Sequence, residues 1–262
     1  MLEIHNITFV GGGAALATFF GILLFLRFGR WLGKRVIAKH GGEIPPSVGS
    51  LEAAVFAILG LLIAFTFSGA LTRFDVRRAQ AVDEANAIGT AYLRIALLPA
   101  SAQPKLRETM RNYVDARIAT YQKLPDVKAA QAEAARSMQL QNEVWAQAVA
   151  AIRLPDARAS TDLLVMPALN DMFDRASTRI AATKIHPPFL VYFMLIALAF
   201  ASALLAGYQS AGETHDWMRR LGFALIIAFT VYVILEIEFP RLGFVRIDAI
   251  DQLLVNARAS MN

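Results

Sequence analysis

Hydrophobic and polar positions along this chain separate into long blocks. No Asp, Glu, Lys or Arg occurs from Asn6 to Leu26, from Ala53 to Thr72, or from Ile185 to Gly212. A fourth uncharged run, Leu221 to Leu235, is shorter and stops at Glu236. A helix needs about 20 apolar residues to cross roughly 30 Å of hydrocarbon. Three blocks reach that length, and the fourth does so once its terminal glutamates are counted. The pattern predicts four transmembrane helices, because uncharged runs this long are foreign to the core of a soluble domain.

Between the second and third blocks the pattern changes. Arg73 to Lys184 is rich in Ala, Arg, Gln and Glu, and its apolar residues recur at helical spacing. Leu106, Met110, Tyr113, Val114, Ile118 and Tyr121 form one stripe; Val144, Ala148 and Ile152 form a second; Leu169, Met172, Phe173, Ala176 and Ile180 form a third. Pro104, Pro125 and Pro155 fall where helices start or stop. The segment reads as a helical bundle outside the bilayer. From Ala53 to Leu98 there is no proline, so the second helix is expected to run on into the bundle, for about 69 Å at 1.5 Å per residue. The fold class is all-α: an integral membrane protein with four transmembrane helices and a helical extramembrane bundle between helices 2 and 3. Its parts are 1–72 (helices 1 and 2 with a basic loop), 73–184 (bundle), 185–240 (helices 3 and 4) and 241–262 (C-terminal tail). Prolines 45–46 break the chain before the second helix, with Ser50 as its expected cap, and "HPP" at 186–188 precedes the third.

Composition narrows the chemistry. Hydrophobic residues make up 56% and charged residues 18% of the chain, which contains no cysteine; disulfides, thiolate metal sites and cysteine nucleophiles are excluded. The net charge of +5 is spread over helix faces and loops rather than gathered in a patch, which fits a lipid bilayer as partner and not nucleic acid. His5, His40, His186 and His215 stand alone without metal-ligand spacing. No nucleophile–base pair stands out, so neither an enzyme nor a cofactor is expected. The N-terminus has no basic region ahead of its apolar run, so that run reads as a retained helix. Arg27, Arg30, Lys34, Arg35 and Lys39 follow helix 1, and Arg219 and Arg220 lie in the loop at 213–220. By the positive-inside rule this side is cytoplasmic, with Trp31, Tyr208 and Trp217 as its interfacial belt. The N-terminus and the 73–184 bundle then lie outside the cytoplasm; Arg73, Arg77 and Arg78 on the bundle side argue the other way.

Three helices carry small residues at every fourth position: Gly13, Ala17 and Gly21; Gly60, Ala64, Ser68 and Thr72; Ala199, Ala203 and Gly207. Such stripes let backbones approach where lipid offers no hydrophobic drive. The second stripe becomes polar towards Ser68 and Thr72, so it is a candidate pore lining as well as a packing face. Beyond it, Arg73 with Arg77 and Asp75 with Arg78 share helix faces, and Glu84 and Asn86 lie close to an apolar face.

The stretch "EANAIGTAYLR" followed by "LLP" (residues 84–99), and Glu236, Glu238, Pro240 and Gly243 after the last helix, resemble the bestrophin-like family of bacterial and plant membrane proteins. The matching motif positions include Glu84, Ala85, Asn86, Gly89, Tyr92, Arg94 and Pro99. The family commonly has aspartates in the acidic pair and arginine before the proline; this chain has glutamates and Phe239. The resemblance spans about residues 50–250. It implies kinship with bestrophins, which are pentameric ion channels with four membrane helices per subunit and a helical, cytosolic extramembrane domain, opposite to the charge-based orientation. The dense acidic run that binds calcium in animal bestrophins is missing, so calcium gating is not implied.

Two function classes follow. The first is an oligomeric channel or transport protein for inorganic ions, built as a homo-oligomer; the second is a non-conducting membrane scaffold or sensor whose bundle binds a partner. Arg73, Arg77, Glu236 and Glu238 form a candidate charge network at the membrane boundary. The uncharged run 221–235 covers only about 22 Å as helix, so Glu236 falls at or inside that boundary, where a carboxylate faces the bundle or a wet cavity and finds a partner. Arg73 or Arg77 is the expected partner of Glu236, with Glu238 on a nearly opposite face.

Overall fold

The computed structural model describes residues 7–40, 47–124, 126–212, 217–240, 245 and 248–261. The expectations for His5, His215, Gly243, the prolines at 45–46 and Pro125 lie outside the described residues. Every regular element among those described is helical: α1 (Ile7–His40), α2 (Ser47–Arg94), α3 (Gln103–Gln122), α4 (Val127–Ile152), α5 (Thr161–Ala182), α6 (Phe189–Gln209), α7 (Trp217–Glu238) and α8 (Asp248–Ala259). Four of these helices, α1, α2, α6 and α7, are long and apolar enough to cross a membrane. The chain forms two compact units. Ile7–Arg73 with His186–Phe239 makes one, termed here the membrane unit; Phe74–Ile185 with the C-terminal residues makes the other, the bundle unit.

In the membrane unit, α1 continues through "RFGRWLGKRVIAKH", which the sequence reading treated as loop. Close packing explains the extension. A Cβ on Gly29 would lie 2.0 Å from the Leu204 carbonyl oxygen, and one on Gly207 would lie 2.1 Å from that of Leu26. Only glycine permits α1 and α6 to meet at this distance. Arg27, Lys34, Arg35 and Lys39 are meanwhile exposed, with the Arg35 guanidinium 3.7 Å from the Trp31 ring centroid. The α6 stripe of Ala199, Ala203 and Gly207 is buried. On α1, by contrast, Gly13 and Ala17 are exposed, and Gly21 packs on the Phe200 ring. Leu59 of α2 joins Leu195, Ala199, Val231 and Ile234 in an apolar cluster, and Ile22, Leu26, Ala203 and Ala224 form another. Ser50 lies inside α2, which starts at Ser47, so it is not the cap.

In the bundle unit the apolar stripes meet as their spacing predicts. Leu106, Met110, Tyr113, Val114, Val144, Ala148, Leu169, Met172 and Phe173 share one core with Ile88, Ala91 and Ile95. Pro104 sits at the start of α3, where its missing N–H costs nothing. Asp126 caps α4 by accepting from the Ala129 amide at 3.0 Å. The C-terminal residues, read from the sequence as a tail, carry α8, whose Leu254 enters the same core. Arg258 of α8 donates to Asp115 at 2.8 and 3.1 Å.

Candidate functional site

The membrane unit gathers its charges where α7 ends. Glu238 is fully buried, and Arg73 donates to its Oε2 from Nε at 2.9 Å and from Nη2 at 2.6 Å. The His186 Nδ1 lies 2.8 Å from the other carboxylate oxygen, and its ring stacks on Phe239 with centroids 4.5 Å apart. One carboxylate therefore ties Arg73 in the middle of α2, the residue three positions before α6, and the last turn of α7. The fork of a guanidinium on a buried carboxylate is a strong, directional contact.

This arrangement corrects the expected partnership. The Arg73 side chain bonds to Glu238 and not to Glu236. The two glutamates stand about 200° apart around the helix axis, and the rotation of α7 turns Glu238 towards α2. Glu236 is also buried, but it approaches α1: a Cβ on Gly11 would lie 3.9 Å from its Oε1. It also takes a side-chain hydrogen bond from Tyr232, one turn earlier. Arg77 belongs to the bundle unit, donating to the Ala182 and Ile185 carbonyls at 3.2 and 3.1 Å, where it satisfies carbonyls left open at the end of α5. Arg78 pairs with Asp75 at 3.4 Å on the surface.

The candidate pore stripe has a distinct environment. Gly60, Ala64, Ser68 and Thr72 are all exposed, and a Cβ on Gly60 would meet nothing within 4 Å. The opposite face of α2 carries the buried Leu59, Thr66 and Ala70. Packing within the chain thus uses one face of α2 and leaves the small, partly polar face open. Thr72 donates to the Ser68 carbonyl at 2.9 Å, so its hydroxyl hydrogen is satisfied within the helix.

The bundle unit holds a second caged carboxylate. Glu84 is fully buried; Arg117 Nε donates to one of its oxygens at 2.6 Å and Arg179 Nη1 to the other at 2.7 Å. Arg117 also donates to the Tyr121 hydroxyl at 2.6 Å, and the Arg179 guanidinium lies 3.9 Å from the Tyr121 ring centroid. Asp251 of α8 completes the cage through Arg179. Burial alone would weaken both cations, but Tyr121 and Glu84 more than reverse this and hold their pKa values above the ordinary arginine range. Burial also pushes the Tyr113 phenol well up.

The motif around Glu84 divides between the two sides of α2. Ala85 and Tyr92 are core residues; Arg111 donates to the Tyr92 hydroxyl at 3.3 Å. Pro99 is buried just past the helix end, Gly89 and Pro240 are half-buried, and Asn86 is exposed. Asn86, Thr90 and Arg94 face a cleft of about 300 Å³ against α5, with Asp83, Asp171 and Arg175. Arg175 bonds to Asp171 at 3.1 Å and Asp83 at 3.2 Å, and Arg94 to the Leu164 carbonyl at 2.7 Å. These charges latch α2 to α5.

Sequence reasoning missed Arg117, Arg179, Asp251 and the pairing of His186. A signal existed for the arginines: each lies within an apolar stripe, Arg117 after Tyr113 and Val114, Arg179 after Phe173 and Ala176. An arginine on a core face requires a buried anion. Nothing local in the sequence marks His186 or Asp251.

Four helices of spanning length, a helical bundle and a carboxylate locked at the end of α7 define a multi-pass helical membrane protein. The Bestrophin-like domain family matches residues 20–250, and the chain belongs to that family. Among solved structures, a bacterial Bestrophin homolog from Klebsiella pneumoniae, crystallised with a point mutation, has a similar fold. The TM-score is 0.61 at 14% identity, covering 92% of this chain and 98% of that one. No curated protein matches the chain.

Proposed function

We propose that this chain is a subunit of a homo-oligomeric, bestrophin-like ion channel or transport protein of the cell membrane. In this reading the Gly60, Ala64, Ser68 and Thr72 face of α2 lines the path or packs against the neighbouring copy. The observation that carries it is that this small, partly polar face is exposed while the opposite face of α2 carries the buried Leu59, Thr66 and Ala70. Small uncharged side chains and hydroxyls offer a wettable surface without a charge barrier. The glutamates are not part of the path in this account: Glu238 is locked by Arg73 and His186, and its role is to fix the helix ends.

Flux of inorganic ions through purified protein in liposomes tests the proposal. The wild-type chain should conduct, and Ala64→Leu should cut flux or oligomer yield severely, because several methyl groups enter a narrow path or close contact. An intact oligomer that conducts equally well with Ala64→Leu would refute the assignment of this face. An intact wild-type oligomer without flux would favour the non-conducting scaffold or sensor.

A further inference from the structure

The buried face of α3 carries a polar line inside the apolar core of the bundle unit: Tyr113, Arg117 and Tyr121, each one turn from the next. Tyr113 and Arg117 are both 1% exposed. Two nitrogens of the Arg117 guanidinium are engaged, Nε by Glu84 and Nη2 by the Tyr121 hydroxyl. Its third, Nη1, has no hydrogen-bond partner among the described residues, and neither has the Tyr113 hydroxyl.

These two groups belong together. They stand four residues apart on one face of α3, where side chains meet. Each also acts on the other's charge. Burial pushes the Tyr113 phenol up, and the Arg117 cation pulls against it; burial weakens that cation in turn, which Tyr121, Glu84 and Tyr113 together hold above the ordinary arginine range.

A buried donor without a partner costs stability, most of all on a charged group, and native proteins rarely leave one so. The ionised groups of the cage already balance, Arg117 and Arg179 against Glu84 and Asp251. An anion at Nη1 would therefore bring an unmatched charge into the core. The occupant that fits is small, neutral and able to accept hydrogen bonds. Water meets all three conditions and takes two to four polar partners when buried.

We propose that an internal water binds between the Tyr113 hydroxyl and Arg117 Nη1 and completes the Glu84 cage. It accepts from Nη1 and bonds to the hydroxyl. The polar chain then runs without a gap from Asp251 of α8 through Arg179, Glu84 and Arg117 to Tyr113.

Tyr113→Phe tests this by sign, because it keeps the ring and removes only the hydroxyl. If water satisfies the hydroxyl, its loss strands a partner, and the melting temperature of the full chain in detergent should fall by about 2–6 °C. If the hydroxyl is unpaired, its removal relieves a buried polar group. A melting temperature that stays level or rises would therefore overturn the proposal. Crystals of the full chain soaked in bromide give a second reading. The expected result is a solvent peak within hydrogen-bond distance of both atoms and without anomalous signal. An anomalous bromide peak there would make the ligand an anion, and a map without any peak would leave both atoms unpaired; either would overturn the assignment.

Discussion

Replacing Glu238 by glutamine tests the boundary cluster most directly. Glu238 is fully buried, whereas the Arg73 side chain keeps 27% of its exposure and that of His186 28%. Glutamine preserves the shape but removes the charge, and it turns an N–H2 group towards the donors of Arg73 or His186. Breaking a buried pair costs about 3–5 kcal/mol, against about 0–1 for an exposed one. Because Arg73 retains some water, the cost belongs at the low end, about 3 kcal/mol. For a chain of this size, each kcal/mol moves the melting temperature by about 2–4 °C, so Glu238→Gln should lower it by about 6–12 °C in detergent. Glu236→Gln should lower it by about a third of that, since Glu236 takes no part in the Arg73 fork. Arg73→Gln on top of Glu238→Gln should restore part of the loss, because it removes the stranded cation. Thermal unfolding by intrinsic fluorescence reads all four proteins. A drop for Glu238→Gln no larger than that for Glu236→Gln would refute the assignment of the pin.

The remaining predictions address packing, the caged carboxylate and orientation. Gly207→Ala should lower the melting temperature sharply or prevent folding, since its Cβ would lie 2.1 Å from the Leu26 carbonyl oxygen; Gly60→Ala, with open space around it, should leave the fold intact. Glu84→Gln should loosen the bundle by about 3–5 kcal/mol, read as faster hydrogen exchange in α3 and α5, and exchange like that of the wild type would sink the cage as a stabilising element. If the charge bias of the short segments sets the orientation, with the bundle outside the cytoplasm, Ala132→Cys, on an exposed position of α4, should react with an impermeant thiol reagent in intact cells. Reaction only after lysis would reverse the orientation.

What the sequence makes legible here is whatever depends on length and period. Uncharged runs set against bilayer thickness locate α1, α2, α6 and α7, and the stripe from Leu106 to Tyr121 identifies the buried face of α3. The end of α1 was hidden because Arg27 to Lys39 look like a polar connection. Their charged heads can stay in water while Gly29 and Gly33, spaced among them, hold the helix against the α6 backbone. Only the facing helix shows why those glycines are there.

The pairing of charges was less legible because it depends on rotation, which one helix's sequence does not state. Glu236 and Glu238 share the same local composition, and proximity to the end of the uncharged run favours Glu236 as the anion in need of a partner. The rotation of α7 is fixed elsewhere, by Ala224, Ala228, Val231 and Ile234, which form its buried face. Glu238 lies four residues beyond Ile234, and i, i+4 positions share a face; Arg73 likewise lies three residues beyond the buried Ala70 of α2. Each charge therefore continues the apolar stripe of its own helix, as Arg117 and Arg179 continue theirs in the bundle. Charges that interrupt an apolar stripe are the ones that must be matched across helices. That rule selects Glu238 over Glu236 and Arg73 over Arg78, using only spacing.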